Sequence, residues 1–216
     1  MDGATISRPT VKVAVRVTLP TVALIDGVLK PTLRKTPVNI LAADGESMLC
    51  ELGMPVCSLA DVEFPWTLDV QQKVPVPLSR DVVPMSYLYR LIGSVLEQAA
   101  MDGHALLTDE QQGAGFVRDA LEWVREPEAL ATTVKSLYGE NAVRQSSDPI
   151  ANAKAAAAGA TIIPGRWFHA STRSRLGRAG IMPTSQERFG GAGSVPGLTP
   201  EVRATVCQAC GGTGLV

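Results

Sequence analysis

The stretch "TVKVAVRVTLPTVALIDGVL", residues 10–29, decides the fold. Its first half alternates strictly. Val11, Val13, Val15 and Val17 fall on one face, and Lys12 and Arg16 fall on the other. Side chains in a strand repeat every second residue, so this pattern predicts a strand buried on one side. The second half carries Asp26-Gly27 between two apolar runs, which predicts a hairpin turn.

The same device returns downstream. "PVNILAADGESMLCEL" places Asp44-Gly45 between apolar runs and predicts a second hairpin. "FPWTLDV" and "KVPVPL" read as two further short strands, with prolines suited to edges or strand ends. Short strands punctuated by turns predict an antiparallel β module over residues 1–80, a sandwich or a barrel.

The period then changes. Leu88, Leu91, Ile92, Val95, Leu96 and Ala99 follow helical spacing between Pro84 and Gly103. Thr108 with Gln111 forms a capping-box pattern ahead of Phe116, Val117, Ala120, Leu121 and Val124. A third helix is expected from Pro127 to Tyr138, stopped by Gly139. A fourth opens on Asp148-Pro149 and runs to Gly159. Residues 81–160 therefore read as a helical region. Residues 161–216 show no sustained apolar period and are rich in glycine, which predicts an extended arm. The expected class is α+β.

Charge separates the two ends. Residues 1–148 carry 13 Lys/Arg and 19 Asp/Glu, whereas residues 149–216 carry 7 and 2. A basic arm on an acidic body predicts an acidic partner for the arm: nucleic acid, another protein subunit, or the body of a neighbouring copy. Within the arm, Arg166, Arg173, Arg175 and Arg178 flank Trp167, Phe168 and His169. Cations beside aromatics suit phosphate pairing and base stacking. The same residues also suit docking, with Trp167 and Phe168 anchoring the arm and the arginines meeting acids.

Catalytic patterns are missing. The sequence has no G-x-S-x-G, no H-E-x-x-H and no phosphate-binding glycine loop, and it has only two histidines. A non-enzymatic protein is expected. No run of about eighteen apolar residues predicts a membrane span. The opening "MDGATISRPTVK" has no signal pattern, so the expected setting is a virion or the bacterial cytoplasm.

Four cysteines without an export signal do not suggest a disulfide framework. Cys207 and Cys210 stand at the C-x-x-C spacing that lets two thiolates hold one zinc ion. The missing ligands are expected from Cys50 and Cys57, from His169, or from a second subunit. Small core hydrophobes are the competing reading of Cys50 and Cys57. As written, Cys207-x-x-Cys210-x-Gly212-x-Gly214 resembles one repeat of the zinc-binding region of DnaJ-type chaperones, and copies in phage antitermination proteins. That resemblance implies a zinc knuckle and, with it, a nucleic-acid-binding regulator.

A second resemblance lies in the N-terminal strands. Leu24-Ile25-Asp26-Gly27, the segment from Pro37 to Gly45, and Pro65-Trp66-Thr67-Leu68-Asp69-Val70 resemble the β-sandwich modules of actinobacterial phage tail-fibre and minor tail proteins. This resemblance implies a virion component of a tail or connector that oligomerises with other subunits.

Overall fold

The computed structural model describes residues 11–43, 45–75 and 83–190. In chain order the elements are β1 (Val11–Ile25), β2 (Val28–Ala42), β3 (Met48–Glu51), β4 (Met54–Ser58) and β5 (Trp66–Val70). Then come α1 (Met85–Met101), α2 (Asp109–Gln112), α3 (Gly115–Leu121), α4 (Pro127–Tyr138), β6 (Val143–Arg144), α5 (Pro149–Ala157), β7 (Ile162–Ile163), α6 (Ala170–Arg178) and α7 (Ser185–Phe189). The class is mixed α+β. No helix among the described residues is long and apolar enough to cross a membrane. Two compact units form. Residues 11–140 and 166–181 make the larger, and residues 141–165 and 182–190 the smaller.

The larger unit is built on one five-stranded sheet in the order β1-β2-β5-β3-β4. The hairpin read from Asp26-Gly27 is present. Asp26 (φ 53°) and Gly27 (φ 76°) both take the left-handed conformation that a tight two-residue turn needs. The sheet is open, because its edge strands β1 and β4 do not pair, so the expected barrel is not formed. Nor is the sheet purely antiparallel, since β3 pairs with β5 in parallel. Among the described residues its buried face is covered by helix, with α1 packed on β1. Val15, Val17, Leu19, Val38, Ile40, Leu49, Leu68 and Val70 are buried there. Helix α1 packs on β1 and against α3 and α4.

The second hairpin expected around Asp44-Gly45 is not formed, because the flanking strands β2 and β3 are separated by β5; Asp44 itself lies outside the described residues. The second hairpin is β3–β4, turned by Leu52 (φ 51°) and Gly53 (φ 83°). A left-handed leucine is an unfavourable turn residue, and this explains why the sequence does not advertise the turn. Asp69 supports it from below, accepting the Gly53 backbone N–H at 2.7 Å. Of the expected strand "KVPVPL", residues 73–75 are irregular and the remainder lies outside the described residues.

The predicted helices form, with one break. Gly113 and Ala114 split the expected helix into α2 and α3. The Thr108–Gln111 capping box closes α2 as expected, and Asp148 caps α5 by accepting from the N–H groups of Ile150 and Ala151.

Residues 161–190 are folded, contrary to the extended arm expected there. They hold β7, α6 and α7. The smaller unit is a β6-α5-β7 crossover with two parallel strands, to which α7 is added. Arg144 is its buried polar centre, donating from Nε to the Met182 carbonyl at 2.7 Å. Helix α7 opens with a second capping box, Thr184 with Glu187. The signal T-S-Q-E was present in the sequence but hidden in a glycine-rich context. Thr184→Ala is expected to cost about 1 kcal/mol, read as a shift in urea midpoint at constant slope.

Candidate functional site

Exposed apolar surface concentrates on the β1–β2 hairpin. Strand β2 pairs with β5 only from Val38 to Ala42, whereas the β1–β2 pairing continues to Ile25 and Val28. The outermost tether among the described residues is Gln72, whose Nε2 donates to the Pro20 carbonyl at 3.2 Å. Beyond it the hairpin continues for about 15–20 Å at roughly 3.3 Å per residue, with no third strand paired to it among the described residues. Val22 (60%), Leu24 (69%), Val28 (58%) and Leu33 (59%) are exposed there. Cross-strand partners share a face, so Pro20, Leu33, Val22 and Pro31 form one continuous uncharged strip with Leu24.

A free edge of this length is usually blunted by charge or proline. From Thr18 to Ile25, β1 contains no charged residue, and Pro20 is its only proline. Apolar side chains exposed on both faces contribute nothing to a core. An exposed apolar patch of this kind is a candidate contact surface.

The residues singled out between 166 and 178 divide into two sets. Trp167, Phe168, His169 and Arg175 turn onto the helical body of the larger unit. Trp167 Nε1 donates to the Tyr138 hydroxyl at 3.1 Å, and Phe168 is buried with its ring edge-on to Tyr138. Burial pushes the Tyr138 hydroxyl up to about 12. His169 Nε2 lies 2.6 Å from Asp119 Oδ1, and Arg118 Nε donates to the same oxygen at 2.9 Å. Burial alone would raise Asp119, but the hydrogen bonds and charges of Arg118 and His169 outweigh it and hold the carboxyl below its ordinary value.

Ser171 and Thr172 both donate to Glu122 Oε1, and Arg175 Nη1 donates to the Glu122 carbonyl at 3.3 Å. Arg166 and Arg178 are exposed, and Arg173 is half-buried.

Tyr89, Asp119, Glu122, Trp123, Arg125 and His169 line an open depression of about 410 Å³. The Asp119–His169 pair could orient a general base. Yet the nearby hydroxyls of Ser171 and Thr172 bond Glu122, and no nucleophile among the described residues hydrogen-bonds the His169 ring. The geometry is that of a clamp holding α6 to α3.

A second cleft of about 460 Å³ shares Trp123 and Arg125 and places Arg16, Lys35 and Arg90 opposite Glu97 and Glu126. Burial and then Glu126 raise the Glu97 carboxyl, with Arg175 opposing. A carboxyl raised in the folded state loses stability as pH climbs above its unfolded value. Glu97→Gln is therefore expected to match the parent at pH 4 and to exceed it at pH 7, by no more than about 1 kcal/mol for a half-exposed group. Urea unfolding at the two pH values checks this, and an equal difference at both would sink it.

Cys50 and Cys57 stand on adjacent strands, both as free thiols. Burial first, then Asp69 and Cys57, pushes the Cys50 thiol up, and burial raises Cys57. Cys207 and Cys210 lie outside the described residues. Among the described residues, no group of three or more His, Cys, Asp or Glu is arranged to hold a metal.

No protein-family model, curated protein or solved structure matches this chain.

Proposed function

We propose that this chain is a non-enzymatic assembly subunit that engages a neighbouring subunit through the free half of the β1–β2 hairpin. The supporting observation is the uncharged strip of Pro20, Val22, Leu24, Pro31 and Leu33 on a hairpin whose outer half pairs with no third strand among the described residues. A hairpin held out from its sheet loses conformational entropy without gaining a core. Burial against a partner offsets that cost at roughly 25 cal/mol per Å² of apolar surface. The phage tail or connector suggested by the N-terminal resemblance is a setting in which such arms link subunits. The clamp made by Trp167, Phe168, His169 and Arg175 belongs to this reading as scaffolding, because it fixes α6 on the body and leaves Arg166 and Arg178 exposed.

The test is sedimentation of the purified chain over a wide concentration range. The parent is expected to associate, and Val22→Glu with Leu24→Glu is expected to remain monomeric with an unchanged circular dichroism spectrum. A parent that stays monomeric throughout, or that binds DNA or RNA tightly as a monomer, overturns the proposal.

A further inference from the structure

The cleft of about 460 Å³ lies wholly within the larger unit. Its size falls in the range of roughly 300–1,000 Å³ that small-ligand sites occupy. Arg16 on β1, Lys35 on β2, Arg90 on α1 and Arg125 after α3 line it. None of the four makes an ion pair among the described residues. Cations gathered around one cleft repel each other, and the low-dielectric walls focus their field on whatever enters.

A fifth cation stands beside them. Arg175 on α6 donates from Nη1 to the Glu122 carbonyl, but its Nη2 is buried with no hydrogen-bond partner among the described residues. Buried donors are normally paired, so this N–H lacks an acceptor. Arg175 is close enough to Glu97, in the lining, for its charge to act on that carboxyl. Burial first, then Glu126, nevertheless raises Glu97, so the surrounding cations do not neutralise it.

Glu97 and Glu126 decide which anion fits. A polyanion filling the cleft would meet both carboxylates and lose much of what the arginines supply. A ligand with one anionic group and a neutral ring bearing N–H donors suits both sets. Guanidinium groups match the oxygens of a phosphate, and carboxylates accept from ring N–H groups. Trp123 adds the third feature. It is half-buried and lines both this cleft and the depression beside His169, which gives a planar ring an aromatic surface to stack on.

We propose that this cleft binds a free nucleoside monophosphate. Arg16, Lys35, Arg90 and Arg125 hold the phosphate, Trp123 stacks on the base, and Glu97 or Glu126 accepts from the N–H groups of the base. The site goes beyond the assembly reading and does not rest on it.

The test is isothermal titration calorimetry on the full chain with AMP, adenosine and inorganic phosphate. AMP is expected to bind one per chain with a Kd of about 0.1 mM, and adenosine or phosphate alone at least about tenfold more weakly. Arg90→Ala and Arg125→Ala should each weaken AMP about tenfold through loss of a charge-assisted hydrogen bond. Trp123→Leu should weaken AMP by about the same factor and leave the phosphate affinity unchanged, because only stacking is lost. Arg34→Ala removes an exposed cation outside the lining and should bind AMP as the parent does. Circular dichroism checks the fold of each variant.

Absence of AMP binding by the parent at millimolar concentration overturns the inference. So does phosphate that binds the parent as tightly as AMP, and so does AMP binding by folded Arg90→Ala and Arg125→Ala chains that matches the parent. A short single strand of DNA that binds far more tightly than AMP also overturns it, because the cleft is then one stretch of a nucleic-acid groove. Val22→Glu with Leu24→Glu should bind AMP like the parent, so loss of the arm's association and loss of the nucleotide site are read separately.

Discussion

Gly93→Ala is expected to lower the melting temperature by roughly 5–10 °C, at about 2–4 °C per kcal/mol for a chain of this size. Gly93 lies in α1 where α3 crosses it. A Cβ there would stand 2.5 Å from the Ala120 carbonyl oxygen and 3.3 Å from the Trp123 Cβ. The first contact is with backbone, so no side-chain rotation relieves it. The helices must separate, and Leu91, Ile92, Val117 and Leu121, all buried, lose packing with them. Overpacking of this kind costs about 3 kcal/mol or more, and alanine's better helix propensity returns at most about 1 kcal/mol. Gly115→Ala is the control, because a Cβ at the start of α3 meets nothing within 4 Å. Gly115→Ala should melt at or above the parent temperature. A Gly93→Ala protein that melts with the parent would show that α1 and α3 are not in close contact.

Several local signals were legible where one residue type has one conformational use, although the same Asp-Gly signal misled at Asp44-Gly45, where β2 and β3 are not neighbours. Asp26-Gly27 turns the first hairpin, Thr108 with Gln111 caps α2, and Gly139 stops α4. Long-range placement was not legible. Nothing in "FPWTLDV" says that β5 inserts between β2 and β3, because that depends on which apolar faces meet after collapse. The Leu52-Gly53 turn was missed because leucine gives no turn signal and the support comes from Asp69, sixteen residues away in sequence. The folded part of residues 161–190 was missed for a related reason. Its helices are short, and their burial rests on few side chains, chiefly Thr172, Leu176 and Ser185.

Residue types in the candidate site could be read before their partners could. Trp167, Phe168, His169 and Arg175 were singled out as binding residues, and their partners Tyr138, Asp119 and Glu122 belong to helices separated from them by more than 25 residues of chain. The hairpin arm was hidden in the opposite way. Alternation in β1 marks a strand with one buried face, but it does not say where the covering helix stops. The pairing of β2 with β5 ends at Val38, and only the structure shows that no described strand continues it along the outer half of the arm.

Phe64→Ala is expected to have the largest effect on stability, about 3–5 kcal/mol. Phe64 is 1% exposed and meets Phe116 edge to face, with ring centroids 5.3 Å apart and planes at 89°. The chain delivers it there through a single 3-10 turn, Ala60–Val62, followed by Glu63 in the left-handed conformation at φ 54°. The ring therefore ties the β4–β5 connection to α3, and alanine would leave a cavity lined by side chains already packed against other elements. The aromatic pair adds about 1 kcal/mol beyond the buried area. Urea unfolding should show a lower midpoint at unchanged slope, and Phe64→Leu should recover more than half of the loss. A Phe64→Ala chain that loses less than 1 kcal/mol, against the ~3 kcal/mol expected for a buried aromatic ring, would mean that the connection is not anchored on α3.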